Sequence, residues 1–310
     1  MRRVIGIGET VLDIIFKDEQ PLKAVPGGSA FNAIISIGRA GVPAAFISET
    51  GNDCVGEWVK RFLRENGVDD SGVCTFKDSK SPLSLAFLDE KNNAEYIFYK
   101  DHPKDQLEFV YPEINRDDII IYGSFFAINP VVRPQVAAFL DYAREHGAIL
   151  YYDLNYRASH KDDLLRVRPN IIENLELADF VRGSNEDFEI MYRMTDADSV
   201  YRSEISFYTK KFIYTRGPLP VEVRGEGGFS KQYPILTDGH VVSTIGAGDS
   251  FNAGFVYGLI TEGITRDMVD HSLNEQQWDA LLHSGLRFSA DVCKSLNNYI
   301  SPEFAATLRE

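Results

Sequence analysis

Short apolar runs separated by helix-patterned segments recur along most of this chain, and that alternation constrains its fold more than any other feature. Val4–Gly8, Ala44–Ser48, Ile119–Gly123, Ile149–Asp153, Phe180–Arg182 and Phe212–Thr215 have the length and composition of strands. Between them Val55–Glu65 and Pro134–His146 carry helical spacing, and Gly67 and Gly147 stand just past them, where C-caps belong. A strand-then-helix rhythm implies right-handed crossovers. The expected fold is α/β, with a central, mostly parallel sheet flanked by helices on both faces.

One segment breaks the rhythm. Ser84–Asp89 and Ala94–Tyr99 read as two strands around an Asn-containing turn at Glu90–Asn93. A hairpin inserted between α/β units becomes a flap over the sheet edge. No linker or internal repeat divides the 310 residues, so we expect one domain over 1–310 with a small β lid built from about 10–24 and 83–101.

The formal net charge of −14 excludes nucleic acid as a partner and an anionic membrane surface as a platform, since both need clustered Lys and Arg. It does not forbid a phosphorylated ligand, because backbone N–H groups at a helix start hold anions locally. The three cysteines, Cys54, Cys74 and Cys293, are far apart and fit reduced thiols. The start briefly imitates a signal peptide, but Glu9 and Asp13 interrupt the apolar run, so it reads as a first strand. No stretch has the length of a membrane span. A cytoplasmic protein is expected.

Open parallel sheets bind ligands at the carboxyl ends of their strands. Glu9, Asp153, Asn155, Asn185 and Thr215 all follow or end candidate strands; each taken singly is more often a turn residue than a functional one. The strongest local signal is Ser243-Thr244-Ile245-Gly246-Ala247-Gly248-Asp249-Ser250-Phe251. Its small residues let a backbone approach a ligand, and the helix they open is expected to be amphipathic, with Phe251, Gly254, Phe255, Gly258 and Leu259 on one face. Asp249 falls in the first turn, either beside an anion pocket or simply stabilising the helix start. In Pro26-Gly27-Gly28-Ser29-Ala30-Phe31-Asn32, Ser29 is expected to cap a helix running to Arg39, with Gly41 ending it. Asn32 then meets a ligand hydroxyl, or the segment is only a tight turn and a helix.

Several chemistries are absent. There is no Gly-x-x-x-x-Gly-Lys-Ser/Thr loop, and no Gly-x-Gly-x-x-Gly follows the first strand, which removes a dinucleotide-dependent oxidoreductase. The six histidines lack zinc spacing, and no Gly-x-Ser-x-Gly elbow appears. Gly225–Gly228 reads as a hairpin turn.

In this order the residues resemble the PfkB family of carbohydrate kinases, which have the ribokinase-like fold. Gly8-Glu9 with Asp13 is similar to the family's first strand and sugar loop. Gly27–Asn32 resembles its first signature, Gly51–Gly56 with Gly67-Val68-Asp69 the next frame, and Gly246–Gly254 the second signature almost letter for letter. The resemblance implies an ATP-dependent, Mg²⁺-using kinase that phosphorylates a sugar hydroxyl. It implies Asp249 as catalytic base and Gly246, Ala247 and Gly248 as the anion hole. Asp13, Gly28 and Asn32 would hold the sugar, and Asn185, Thr215, Gly217 and Thr244 would line the ATP side. Asp153–Arg157 looks like the Asp-x-Asn-x-Arg stretch of fructokinase-like members, placing Arg157 near the substrate or the phosphates. Phe98-Tyr99-Lys100 resembles their Phe-Tyr-Arg, placing Phe98 and Lys100 there too.

Two departures stand out. Ser243 occupies the position where the family has an Asp of the monovalent-cation site. The family's Asn-x-x-Glu, counted from Asn185, meets Phe188, leaving Glu186 or Glu189 to serve the metal. Fructose is the expected acceptor, with 2-keto-3-deoxygluconate or ribose as competing substrates and a catalytically weak sugar or nucleotide sensor as the competing class. Alternation puts Tyr96, Phe98 and Lys100 on one face of the lid strand. Lys100, a point charge without a planar fork, suits a hydroxyl better than a carboxylate. A homodimer joined through the lid is the expected assembly.

Overall fold

The computed structural model describes residues 2–90, 94–100, 110–237, 239 and 241–309. Its main sheet contains β1 (Val4–Ile7), β4 (Ala44–Gly51), β5 (Val68–Asp69), β6 (Val73–Phe76), β9 (Ile119–Gly123), β10 (Ile149–Asp153), β11 (Phe180–Ser184), β12 (Phe212–Arg216), β13 (Leu219–Arg224) and β14 (Ser230–Tyr233). A second sheet of four strands is built from β2 (Val11–Lys17), β3 (Gln20–Gly27), β7 (Leu83–Leu88) and β8 (Ala94–Tyr99).

The main sheet runs β14-β13-β12-β11-β10-β9-β1-β4-β5, with β6 also on β4. It is parallel throughout except at the β12–β13–β14 end, where two antiparallel pairings finish it. β1 lies inside, and the chain winds outward from it first toward β5 and later toward β14. The strand order therefore reverses around β1, where α/β sheets open their binding crevice.

Helices on both sides explain why the central strands are continuously apolar. In β9 all five residues are buried, yet they alternate between two cores. Ile119 and Ile121 join Phe31, Ile34, Phe255 and Leu281 on one side. Ile120 and Tyr122 join Val136, Phe139 and Ile171 on the other.

The structure corrects several local readings. Helix Ala247–Thr261 is not amphipathic: Asn252, Ala253 and Val256 are buried along with Phe251, Gly254, Phe255, Gly258 and Leu259. It is sandwiched between helices Ser29–Arg39 and Glu275–Val292, so every residue from Ser250 to Val256 is buried. Ser29 is not a cap. Gly28 takes the N-cap position with φ 122°, and Ser29 is the first helical residue. The Gly225–Gly228 turn joins β13 to β14. Residues 91–93 of the expected lid turn, and residue 101, lie outside the described residues.

The second sheet has its own small core of Ile15, Val25, Ala86 and Leu88, packed with Tyr96, Ile245 and Leu296. Through Ile245 it touches the segment that leads into helix Ala247–Thr261, which brings it beside the carboxyl edge of the main sheet.

Candidate active site

The two glycine-rich segments, 220 residues apart, converge on one carboxylate. Asp249 Oδ1 accepts a hydrogen bond from Ser29 Oγ at 2.9 Å, and Oδ2 accepts one from Asn32 Nδ2 at 2.8 Å. Gly246 sets the geometry. It starts the helix at φ 74°, and a Cβ there would lie 2.4 Å from the Asn298 carbonyl oxygen, so only glycine fits. The N–H groups of Ala247 and Gly248 then follow at the positive end of the helix dipole. Asp249 is half-buried. Burial raises its carboxyl above the ordinary range and the Asp153 charge adds to this, against the opposing bonds from Asn32 and Ser29 and the charge of Arg157. Asn32 Oδ1, buried beside it, has no hydrogen-bond partner among the described residues.

Asp13 in β2 forms the next part of the wall. It is 7% exposed and accepts from the Ser84 hydroxyl and, at 3.2 Å, from Asn298 Nδ2. Burial pushes its carboxyl up to about 6, opposed by those two bonds and assisted by the charges of Asp249 and Glu9. Gly28 lets the chain close here, since a Cβ would lie 2.3 Å from the Glu9 carbonyl oxygen.

From the second sheet, Tyr96 has its phenol raised chiefly by burial and further by the charges of Asp13 and Asp249, against that of Arg157. Phe98, expected at the sugar, is 50% exposed and stacks on the Tyr96 ring at 5.8 Å. The inward ring is thus Tyr96, and Phe98 covers it from outside. Lys100 is placed between two carboxylates, 3.6 Å from Glu49 Oε1 and 3.9 Å from Glu9 Oε2. Arg157 is exposed at the mouth, with its charge on Asp249.

Behind the Gly246–Gly248 backbone lies a group that the sequence reading missed. Arg182 Nη1 donates to Asp153 Oδ1 at 3.0 Å and Nη2 to Thr215 Oγ1 at 2.6 Å. Asn252 Nδ2 holds Asp153 Oδ2 at 2.8 Å, and Tyr151 OH donates to Asn252 Oδ1 at 2.9 Å. A Cβ on Gly248 would stand 3.0 Å from Arg182 Nη2, so the guanidinium backs directly onto the backbone at Gly248. Burial opposes its charge, but Asp153 and Asp187 outweigh that and hold it cationic. Thr215, expected to line the nucleotide, spends its hydroxyl on this group. An arginine inside the apolar run Phe180–Arg182 was the available signal.

The side expected to take the nucleotide is more open. Gly217, at φ 53°, has nothing near it, and the Thr244 side chain is exposed while its carbonyl accepts the Ala247 N–H at 3.2 Å. Asn185 is half-buried and starts helix Asn185–Tyr192. Glu186 and Glu189 face solvent. The buried acid is Asp187: it accepts from the Ser184 N–H at 2.5 Å and the Tyr156 N–H at 2.7 Å, in a capping box with Ser184. The frame that carries the inner carboxylate is therefore Ser184-x-x-Asp187, one residue earlier than the count from Asn185. Phe188 is fully buried against Phe212 and Tyr214 and belongs to the core. Ser243 is buried, its Oγ accepting the Ile245 N–H at 3.1 Å.

Comparison with known proteins gives this geometry a context. A 5-dehydro-2-deoxygluconokinase of Geobacillus kaustophilus is 32% identical over 253 residues, covering 76% of this chain and 73% of that protein. Fructokinase-1 of Oryza sativa subsp. japonica is 29% identical over 312 residues, 94% of this chain and 90% of that one. A double-mutant fructokinase of Vibrio cholerae O395, solved with fructose, ADP and a potassium ion, has the same fold. Its TM-score is 0.85 over 100% of this chain and 99% of its own, at 19% identity. The sequence profile of the pfkB family carbohydrate kinases matches residues 1–273, and the chain belongs to that family of kinases.

Proposed function

We propose that this carbohydrate kinase transfers the γ-phosphoryl group of ATP to a hydroxyl of fructose, with Asp249 as base. The observation that carries the assignment is the Asp249 carboxylate, held by Ser29 and Asn32 in the first turn after Gly246–Gly248. Asp249 takes the proton of the acceptor hydroxyl, whose oxygen forms the new bond to phosphorus. The bond from phosphorus to the β-phosphate oxygen breaks, and ADP leaves with that electron pair. The Gly248 N–H at the helix start meets the charge on the transferring group; removing one such donor costs ~100-fold or more in related chemistry. Asp13, Gly28 and Asn32 line the sugar, and Asn32 Oδ1 is an acceptor with capacity to spare for its hydroxyl. Thr244, Gly217 and Asn185 line the ATP side.

Mg²⁺ supplies charge neutralisation to the phosphates when bound. Among the described residues no three His, Cys, Asp or Glu side chains converge to hold a metal. The donor set fits an ion that arrives with the nucleotide and keeps much of its water. We assign the ordering of that water to Asp187, in place of Glu186.

The four-stranded sheet acts as a lid on a single unit spanning 1–310. Its Leu22, Phe87, Ile97 and Tyr99 are exposed, an apolar face suited to a second copy's lid. Sedimentation at micromolar concentration is expected to show a homodimer; a monomer would remove that assembly. The cytoplasm is the proposed location.

A second reading, a sugar acid as acceptor, is favoured by the name of the 32%-identical Geobacillus protein. An ATP-consumption panel of fructose, ribose, nucleosides and 2-keto-3-deoxygluconate separates the two, and fructose is expected to have the highest kcat/KM. Replacing K⁺ by a bulky organic cation is expected to change the rate little, because Ser243 offers no carboxylate and its oxygen already serves Ile245. A panel led by the acid would overturn the fructose assignment and leave the kinase standing.

A further inference from the structure

Residues 293–300 leave helix Glu275–Val292 and touch three parts of the molecule before helix Pro302–Thr307 begins. The Cys293 carbonyl accepts the Val242 N–H at 2.8 Å and the Ser243 N–H at 3.4 Å, which ties the segment to the approach to Gly246. Leu296 packs into the small core of the second sheet, and Lys23 of β3 donates to the Asn297 side chain. At the far end, the Ile300 N–H donates to Ser36 Oγ at 3.3 Å, and Arg39 donates to the Ile300 carbonyl at 2.6 Å. Ser36 and Arg39 lie on the helix that also carries Ser29 and Asn32. The segment therefore joins the second sheet, the Ser29–Arg39 helix and the Gly246 turn.

Asn298 stands where these connections cross, 1% exposed. Its Nδ2 donates to Asp13 Oδ2 at 3.2 Å, nitrogen toward carboxylate, as an ionised acid requires. Its backbone meets the other half of the site: a Cβ on Gly246 would lie 2.4 Å from the Asn298 carbonyl oxygen and 2.7 Å from its Cα. The side-chain contact is equally close-fitting. A Cβ on Gly27 would lie 2.3 Å from Asp13 Oδ2 and 3.3 Å from Asn298 Nδ2, so the pair fills the space beneath that glycine.

The two groups that Asn298 joins serve opposite partners of the reaction. Asp13 lines the acceptor, whereas the Gly246 turn sets where the Gly248 N–H and the Asp249 carboxylate stand. Phosphoryl transfer depends on the separation and alignment of acceptor oxygen and phosphorus, and small misplacements are costly. A single buried residue bound to both sides fixes that separation.

We propose that Asn298 is a positioning residue for phosphoryl transfer: its amide orients the Asp13 carboxylate while its backbone seats the Gly246 turn. The proposal rests on the sugar-kinase reading above and concerns how that site is held in register.

The test compares wild type with Asn298→Leu, which keeps the bulk and removes the donor, using ADP release with fructose and ATP. The variant is expected to lose ~10-fold or more in kcat/KM for fructose, the size of a hydrogen bond to a charged group. The loss should come through KM for fructose and leave KM for ATP near the wild-type value. A second readout follows from Asp13. Among the described residues, the titratable groups whose charges couple to it are Asp249, Glu9, Tyr96 and Tyr299, and its donors are Ser84 and Asn298. Burial and the two carboxylates raise its carboxyl, and the Asn298 bond opposes them. Losing that bond should therefore move the acid limb of kcat/KM to higher pH. Asn298→Ser, which is smaller, gives the same comparison should the leucine fold poorly. A fructose KM and an acid limb both at their wild-type values would overturn the proposal, as would a fall in kcat alone with a lowered melting temperature, which marks a structural role. Wild type that turns over no sugar at all would overturn the sugar-kinase reading itself.

Discussion

Asp249→Asn is expected to lower turnover by ~100-fold or more, the usual size of a general-base contribution, while sugar and ATP still bind. Asparagine keeps the size of the side chain. Its oxygen can still accept from Asn32, and its amide can reverse the bond to Ser29. What disappears is the place for the acceptor proton. ADP release measures the loss, and calorimetric titration with each substrate measures the binding that survives. Near-normal turnover would remove Asp249 from the role of base.

The same experiment has a built-in control for misfolding. Burial holds both Asp13 and Asp249 above their ordinary values, Asp13 at about 6. A carboxyl with a raised native value binds its proton more tightly folded than unfolded. Its stability contribution therefore falls as pH rises from the ordinary carboxylate range through the raised value, and the penalty is complete above it. At pH 7.5 both groups cost stability, so Asp249→Asn should melt at or above the wild-type temperature, and the gap should close toward pH 4. In wild type, kcat/KM should rise with pH through about 6 as Asp13 ionises. A variant both inactive and markedly less stable would point to a structural role instead.

How much of this site was legible in the sequence depended on the range of the interactions that shape it. β9 and β10 begin and end at the residues the apolar runs indicate, because both faces of these strands are buried and leave no alternation to misread. β13 is interrupted by Pro220, Glu222 and Arg224, and β14, the edge strand, is mostly polar, so neither had such a run. Ser29 looked like a cap because local rules see only the next turn. Its actual partner, Asp249, lies in another segment. Asp187 was within reach: Ser184-x-x-Asp187 followed by Phe188 is a capping box ahead of an apolar residue, and that local signal fixes the register which the count from Asn185 missed. The pairing of Lys100 with Glu49 could not be read at all, because it depends on how the second sheet leans over β4.

Arg182→Met is expected to have the second large effect, on stability and rate together. The guanidinium separates Asp153, 2% exposed, from an otherwise uncompensated position in the sheet. Removing it leaves a buried carboxylate with Asn252 as its remaining donor, and breaking such a pair costs ~3–5 kcal/mol. It also withdraws the cation that backs Gly248, so the anion hole loses positive potential where charge gathers during transfer. The two consequences separate in a cycle. Asp153→Asn combined with Arg182→Met restores charge balance and should regain much of the melting temperature, but it does not return the cation and should leave kcat low. Arg182→Lys should fall between, since an ammonium can meet Asp153 yet lacks the planar fork that reaches Thr215 at the same time. A double variant that recovers full kcat would reduce Arg182 to a structural partner of Asp153. Arg182→Met with wild-type stability would show that desolvation already cancels the pair's attraction, leaving its place behind Gly248 as the only reason for an arginine there.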